Sequence, residues 1–206
     1  MTLSKRYPLR ISRGESAGSV NLFCTVTEDG VSGLGEAAPG RLTGAESAED
    51  CENQIKDFLG ENTQALDNPF DGWQMARDAG VAPCAWAAVD TALWDFLARS
   101  QSKPLYWLLG LPRRAVPTSV TIGILPPDVV RERVPEVIQR TGARYLKVKL
   151  GSPEGLDADC EMFSAVQEAA SSFDVKVRVD ANGGWNLKDA QKMMTWLKKH
   201  DCDYVE

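Results

Sequence analysis

The chain has 206 residues, 43% of them hydrophobic and 25% charged, with a formal net charge of −6 from 23 basic and 29 acidic side chains. This is the composition of a soluble globular protein of one or two domains, and its mild acidity argues against nucleic acid or an anionic membrane surface as a partner. No apolar run approaches the ~20 residues that span a bilayer, and Met1 to Arg13 lacks the apolar stretch of a secretory signal, which together point to the cytoplasm.

The first 40 residues read as antiparallel strands. Val20 to Val26 has strand composition, Glu28-Asp29-Gly30 supplies a turn, Val31 to Glu36 returns, and Gly14 and Gly35 are expected in turns. Ala48, Cys51, Ile55, Phe58 and Leu59 recur at helical spacing, and Asn68-Pro69-Phe70-Asp71-Gly72 reads as a break. A helix from Pro83 to Ser100 carries Trp86, Val89, Leu93, Phe96 and Leu97 on one apolar stripe, the pattern of a core-facing helix. A short helix, Leu105 to Leu109, stops at Gly110, and Leu111-Pro112-Arg113-Arg114 reads as a linker.

After Pro117 the pattern changes. Strands at 118–123, 144–150, 175–180 and 203–206 alternate with helices at 127–140, 155–171 and 187–200. Alternation at this period implies parallel strands joined by helical crossovers, so an α+β domain is followed by an α/β one. The five cysteines (24, 51, 84, 160 and 202) are odd in number and widely spaced, so buried reduced thiols are expected. His200 is the only histidine, at an expected helix end on the surface. Acid–base chemistry must therefore come from Lys, Asp, Glu or Tyr.

Two strands carry charge in an ordered way. Leu146, Val148 and Leu150 share one face of theirs, and Lys147 and Lys149 the other. In the next strand Val175, Val177 and Val179 oppose Lys176, Arg178 and Asp180. Such alternation alone fits an antiparallel sheet with one wet face equally well. The βα period and the Asn182-Gly183-Gly184 turn favour a parallel barrel whose charged face points inward. Lys149, Asp180 and Glu206 then fall at the C-terminal ends of three successive strands, where such barrels hold their chemistry. Carboxylates on neighbouring strands can share a hard cation such as Mg²⁺. A lysine beside a second lysine has its ammonium form disfavoured and is a candidate proton acceptor. Trp185 either closes over the barrel mouth or packs there.

Lys147-Val148-Lys149 resembles the K-x-K motif of the muconate-lactonizing branch of the enolase superfamily. Val179-Asp180-Ala181-Asn182 resembles that family's first metal-ligand motif, and Asp203-Tyr204-Val205-Glu206 the strand bearing the second ligand. Asp90 to Asp95 and Leu108-Leu109-Gly110 are similar to the end of its capping domain, so the resemblance covers nearly the whole chain. Within the superfamily, Ser12-Arg13-Gly14 and Thr118 to Gly123 look like the dipeptide epimerases.

The resemblance implies an α+β capping domain over 1–113 and, over 114–206, the first four βα units of a (β/α)8 TIM-type barrel. It implies Mg²⁺ held by Asp180 and Glu206 with Asn182 behind them, and removal of a proton α to a carboxylate through an enediolate. Lys149 would be the acid/base and Lys147 would tune it; Arg13 and Thr121 would contact substrate. Loops at Arg13 to Ser19 and Pro39 to Gly44 would cover the site. The implied substrate is a small carboxylate, a dipeptide of the L-Ala-D/L-Glu type, and homo-oligomers occur among such proteins. Muconate cycloisomerase and o-succinylbenzoate synthase share the fold and the lysines and remain open, as does a non-catalytic half-barrel acting as an interaction module. With four of eight strands, a third carboxylate ligand and an opposing lysine are expected beyond residue 206, and a fragment without activity of its own is the expectation.

Overall fold

The computed structural model describes residues 1–40, 42–113 and 116–206, and the chain forms two compact units. Arg41, within the loop expected at Pro39 to Gly44, and Arg114, at the end of the expected linker, lie outside the described residues.

The first unit holds Met1–Ser4 and the chain from Gly18 through the linker. Strand β1 (Thr2–Ile11) pairs with β2 (Gly14–Val20), and β3 (Leu22–Glu28) pairs antiparallel with β4 (Val31–Ala37). The β3–β4 register runs from Leu22 opposite Ala37 to Glu28 opposite Val31. That leaves Asp29 and Gly30 as a two-residue turn with φ of +49° and +77°, the left-handed pair a tight hairpin needs.

Helix α1 (Ala48–Glu61) starts at Ser47, whose hydroxyl accepts the Asp50 N–H at 3.0 Å. The break expected at Asn68 to Gly72 is instead the start of a helix, α2 (Pro69–Asp78). Asn68 Oδ1 accepts the Phe70 N–H at 2.9 Å and Pro69 occupies the first turn, so the residues that signal a turn here open a helix. Helix α3 (Pro83–Ser100) buries Trp86, Val89 and Leu93, with Phe96 and Leu97 half-buried, as its stripe predicts. The short α4 (Leu105–Leu108) precedes Gly110, whose φ is +68°. Gly35, expected in a turn, lies inside β4 against α3: an added Cβ would come within 1.9 Å of the Ala88 carbonyl oxygen. Gly33, two residues earlier on the same face, meets the Ala92 carbonyl in the same way at 2.1 Å. Strand and helix therefore touch backbone to backbone.

The second unit joins Lys5–Ala17, the far part of the β1–β2 pair, to the βα array ending at Glu206. By its packing this segment belongs with the array although it lies within residues 1–113. The array runs β5 (Ser119–Ile122), α5 (Pro127–Thr141), β6 (Tyr145–Lys149), α6 (Leu156–Ala170), β7 (Lys176–Asp180), α7 (Leu187–Leu197) and β8 (Cys202–Val205). Its four strands form one sheet in the order β5-β6-β7-β8, every adjacent pair parallel. Neighbouring strands that follow chain order, each with a helical crossover, fit a partial (β/α)8 barrel and not a wet-faced antiparallel sheet.

The apolar face is the packed one. Leu146, Val148, Leu150 and Val179 have no exposed surface and pack with Val130, Val134, Phe163 and Val166 of the helices. The opposite face carries the charges. Strand β8 contains an irregularity: Val177 pairs with Cys202 but Val179 with Val205, so β8 uses one more residue than β7. Cys202 and Val205 both pack on the core. Strict alternation from Cys202 would have turned Glu206 to the core side; the extra residue turns it to the charged face, a usual effect of a bulge.

All five cysteines are free. Cys51 and Cys84 are buried as expected, whereas Cys24, Cys160 and Cys202 are only half-buried. His200 is exposed and stacks on Trp196 with ring centroids 3.7 Å apart. Among the described residues no helix is long and apolar enough to cross a membrane.

Candidate active site

Parallel register aligns the charged face row by row. Thr121 pairs with Lys147, which pairs with Arg178; one row toward the C-terminal ends, Lys149 pairs with Asp180. Glu206 follows β8 and its backbone N–H donates to the Val179 carbonyl at 2.9 Å, which fixes it level with this row.

The side chains close into one ionic cluster. Lys149 Nζ donates to Asp180 Oδ2 at 2.7 Å, and Lys147 Nζ lies 3.0 Å from the same oxygen. Lys147 Nζ also donates to Glu206 Oε2 at 2.8 Å, so one ammonium bridges the two carboxylates. Asp180 is buried at 4% exposure and is held further by the Asn182 N–H at 2.8 Å and, more loosely, by Asn182 Nδ2 at 3.3 Å. Asn182 has a φ of +49°, the left-handed conformation that folds its own backbone N–H back onto Asp180.

Burial pushes the Asp180 carboxyl up, but hydrogen bonds from Lys149, Lys147 and the Asn182 backbone outweigh it and hold the group at about 2. The hydrogen bonds to Glu206 and Asp180 hold Lys147 above its usual value. Asp180 stands between the two lysines and is shared by both.

The oxygens of Asp180 and Glu206 are hard donors of the kind a Mg²⁺ ion takes. The position between them is held by a cation, the Lys147 ammonium, and the Oδ1 of Asn182, whose Nδ2 lies 3.3 Å from Asp180 Oδ2, is buried without a hydrogen-bond partner among the described residues. The donor chemistry fits the metal, although no group of three or more His, Cys, Asp or Glu side chains suited to a metal occurs among the described residues.

Of the other expected site residues, Thr121 lies beside Lys147 on β5, and Arg13 is exposed in the turn between β1 and β2. It is Ser12, in the same turn, that reaches the strand-end loops, its hydroxyl donating to the Asn182 carbonyl at 3.0 Å. The Pro39 to Gly44 loop belongs to the first unit. Trp185 packs against the core, and its indole N–H donates to Asp159 at 2.8 Å. Asp159 was not foreseen. Its only mark in the sequence is an acidic residue in the first turn of a helix, which is common everywhere.

Residues 2–110 match the model of the mandelate racemase/muconate lactonizing enzyme N-terminal domain, and residues 129–206 that of the enolase C-terminal domain-like family. The chain belongs to the mandelate racemase/muconate lactonizing enzyme family. It is 57% identical over 204 residues to a hydrophobic dipeptide epimerase of Roseobacter litoralis, covering 99% of this chain and 58% of that protein. It is 47% identical over 206 residues to a hydrophobic dipeptide epimerase of a Flavobacteria bacterium, covering 100% of this chain and 59% of that one. Among solved structures it is similar to a dipeptide epimerase of Enterococcus faecalis complexed with Mg and the dipeptide L-Leu-L-Tyr. The TM-score there is 0.84 at 30% identity, over 100% of this chain and 58% of that one. The chain thus spans less than three fifths of the length of these relatives.

Proposed function

We propose that the protein epimerises dipeptides by removing the proton α to their free carboxylate, with Lys149 as the base and Asp180 and Glu206 holding Mg²⁺. The observation that carries this reading is the Lys149–Asp180 contact of 2.7 Å. It sets the amino group proposed as the base directly beside a carboxylate that stays ionised at any physiological pH, at the C-terminal ends of parallel strands.

When bound, the metal supplies positive charge that offsets the negative charge growing on the substrate carboxylate as its α-proton leaves. Asp180 and Glu206 would hold it, in competition with the Lys147 ammonium that now bridges them. Lys149 accepts the proton at Nζ, in its neutral amine form. Lys147 keeps its charge, and its ammonium adds to the positive field in which the proton is lost. Asn182 orients Asp180 from behind through its backbone N–H. Inversion further needs a proton donor on the opposite face of the carbon; Lys149 accounts for exchange on its own face.

The relatives at 57% and 47% identity are named for hydrophobic dipeptides, which moves the proposed substrate from the L-Ala-D/L-Glu type to dipeptides with apolar side chains. Five free thiols fit a reducing compartment, in keeping with a cytoplasmic enzyme. The test is kcat/KM on a dipeptide panel with the protein as its source makes it. The proposal expects epimerisation of apolar dipeptides in preference to L-Ala-L-Glu; turnover of muconate with none of any dipeptide overturns it.

A further inference from the structure

Asp159 is 1% exposed, carries a carboxylate and has no part in the reaction above. An ionised carboxylate that deep is tolerated only where several donors replace its water. Three do. The Gly151 N–H donates to Oδ2 at 3.0 Å, the Ser152 N–H to Oδ1 at 2.9 Å, and the Trp185 indole N–H to Oδ2 at 2.8 Å. Asp159 stands in the first turn of α6, where a carboxylate is favoured in any case, but none of its three donors belongs to that helix.

The donors come from two different loops. Gly151 and Ser152 follow Lys149 after one residue, Leu150, and Trp185 lies in the loop that follows Asp180. The two loops meet backbone to backbone at glycines. A Cβ on Gly151, whose φ is +78°, would come within 2.5 Å of the Ala181 carbonyl oxygen, and one on Gly184 within 2.7 Å of Gly151 Cα. Ser12 closes the same spot, its Cβ 2.7 Å from where a Gly184 side chain would begin. A single carboxylate thus ties the loop leaving the lysine strand to the loop leaving the aspartate strand.

We infer that Asp159 is a positioning residue that sets the spacing between Lys149 and the Asp180 carboxylate by clamping the two loops together. This rests on the reading of Lys149 and Asp180 as base and metal ligand. Loss of the clamp lets the loops shift relative to one another, so cation affinity and proton removal suffer while the strands and helices beneath them are kept.

The experiment is Mn²⁺ titration of the protein as its source makes it, without substrate, for the parent and for Asp159→Asn and Trp185→Phe. Asp159→Asn keeps the shape but sets an NH₂ group among N–H donors; Trp185→Phe keeps a ring and removes one donor. The expected result is Mn²⁺ affinity about 10- to 100-fold weaker in Asp159→Asn, with a smaller loss in Trp185→Phe and far-ultraviolet circular dichroism unchanged. Should Asp159→Asn fail to fold, Trp185→Phe decides. Variants that bind Mn²⁺ as the parent does, including any whose only change is a lower melting temperature, overturn this inference alone. A parent protein that binds no Mn²⁺ overturns the reading of the site and this inference with it.

Discussion

Lys149 Nζ and Asp180 Oδ2 are 2.7 Å apart because the two residues are direct register partners on adjacent parallel strands. Their side chains leave the sheet on the same face at the same height, so strand register sets them opposite one another. Strand ends are among the more rigid positions available to a site, which suits the proposed role of Lys149 as a base.

Replacing Asp180 by Asn should cost more than a hydrogen bond. It leaves the half-buried ammonium of Lys149 without a counter-charge and removes one of the two partners of Lys147. Breaking a buried pair from one side costs about 3 kcal/mol or more. Urea unfolding without divalent cations should show that loss, and cation binding should disappear. Unchanged stability would mean that the lysines find other partners.

The same carboxylate makes a pH prediction. Its folded value of about 2 lies below the ~3.9 of an unfolded aspartate, so its contribution is fully present above the unfolded value and is lost as pH falls through the folded one. The stability gap between the parent and Asp180→Asn, measured by urea unfolding without metal, should therefore be constant near neutrality and shrink between about pH 4 and 2. A gap that stays level through this window would contradict the carboxylate's assigned state.

In the first unit, Gly35→Ala should destabilise by about 1–3 kcal/mol, because the added methyl meets the Ala88 carbonyl at 1.9 Å and only a backbone shift can relieve it. Gly30→Ala is a useful control. Its φ of +77° strains any side chain, but nothing lies within 4 Å, so its cost is conformational alone. Thermal melting of both variants distinguishes crowding from backbone strain. An unchanged melting temperature for Gly35→Ala would contradict the close strand–helix packing.

Much of this architecture is legible in the sequence. Lys147-Val148-Lys149 and Val177 to Asp180 alternate with period two, and that alone assigns the apolar and charged faces found in the sheet. The turn at Asp29-Gly30 and the stripe on α3 are equally local signals. What the sequence hid depends on what lies opposite. Gly35 looks like a turn residue until a helix backbone is brought against it. Asn68-Pro69 serves a turn and a helix start equally, and only the burial of Gly72 and Ala76 beyond it decides. The fate of Lys147 turned on the position of Asp180: the two lysines repel in sequence, but the carboxylate from the next strand stands between them. Asp159 is defined by three donors spread over residues 151–185, which no local pattern links.

Under the proposed function Lys149 takes the proton next to a substrate carboxylate. The most direct test is to incubate the protein, as its source makes it, with Mg²⁺ and apolar dipeptides in D₂O, and to follow deuterium entering the carbon α to the free carboxylate by proton NMR. Exchange is expected with the parent protein, with a loss of about 10²- to 10⁴-fold in Lys149→Ala with the fold intact. No exchange with any dipeptide, or exchange undiminished in Lys149→Ala, would contradict the proposed function.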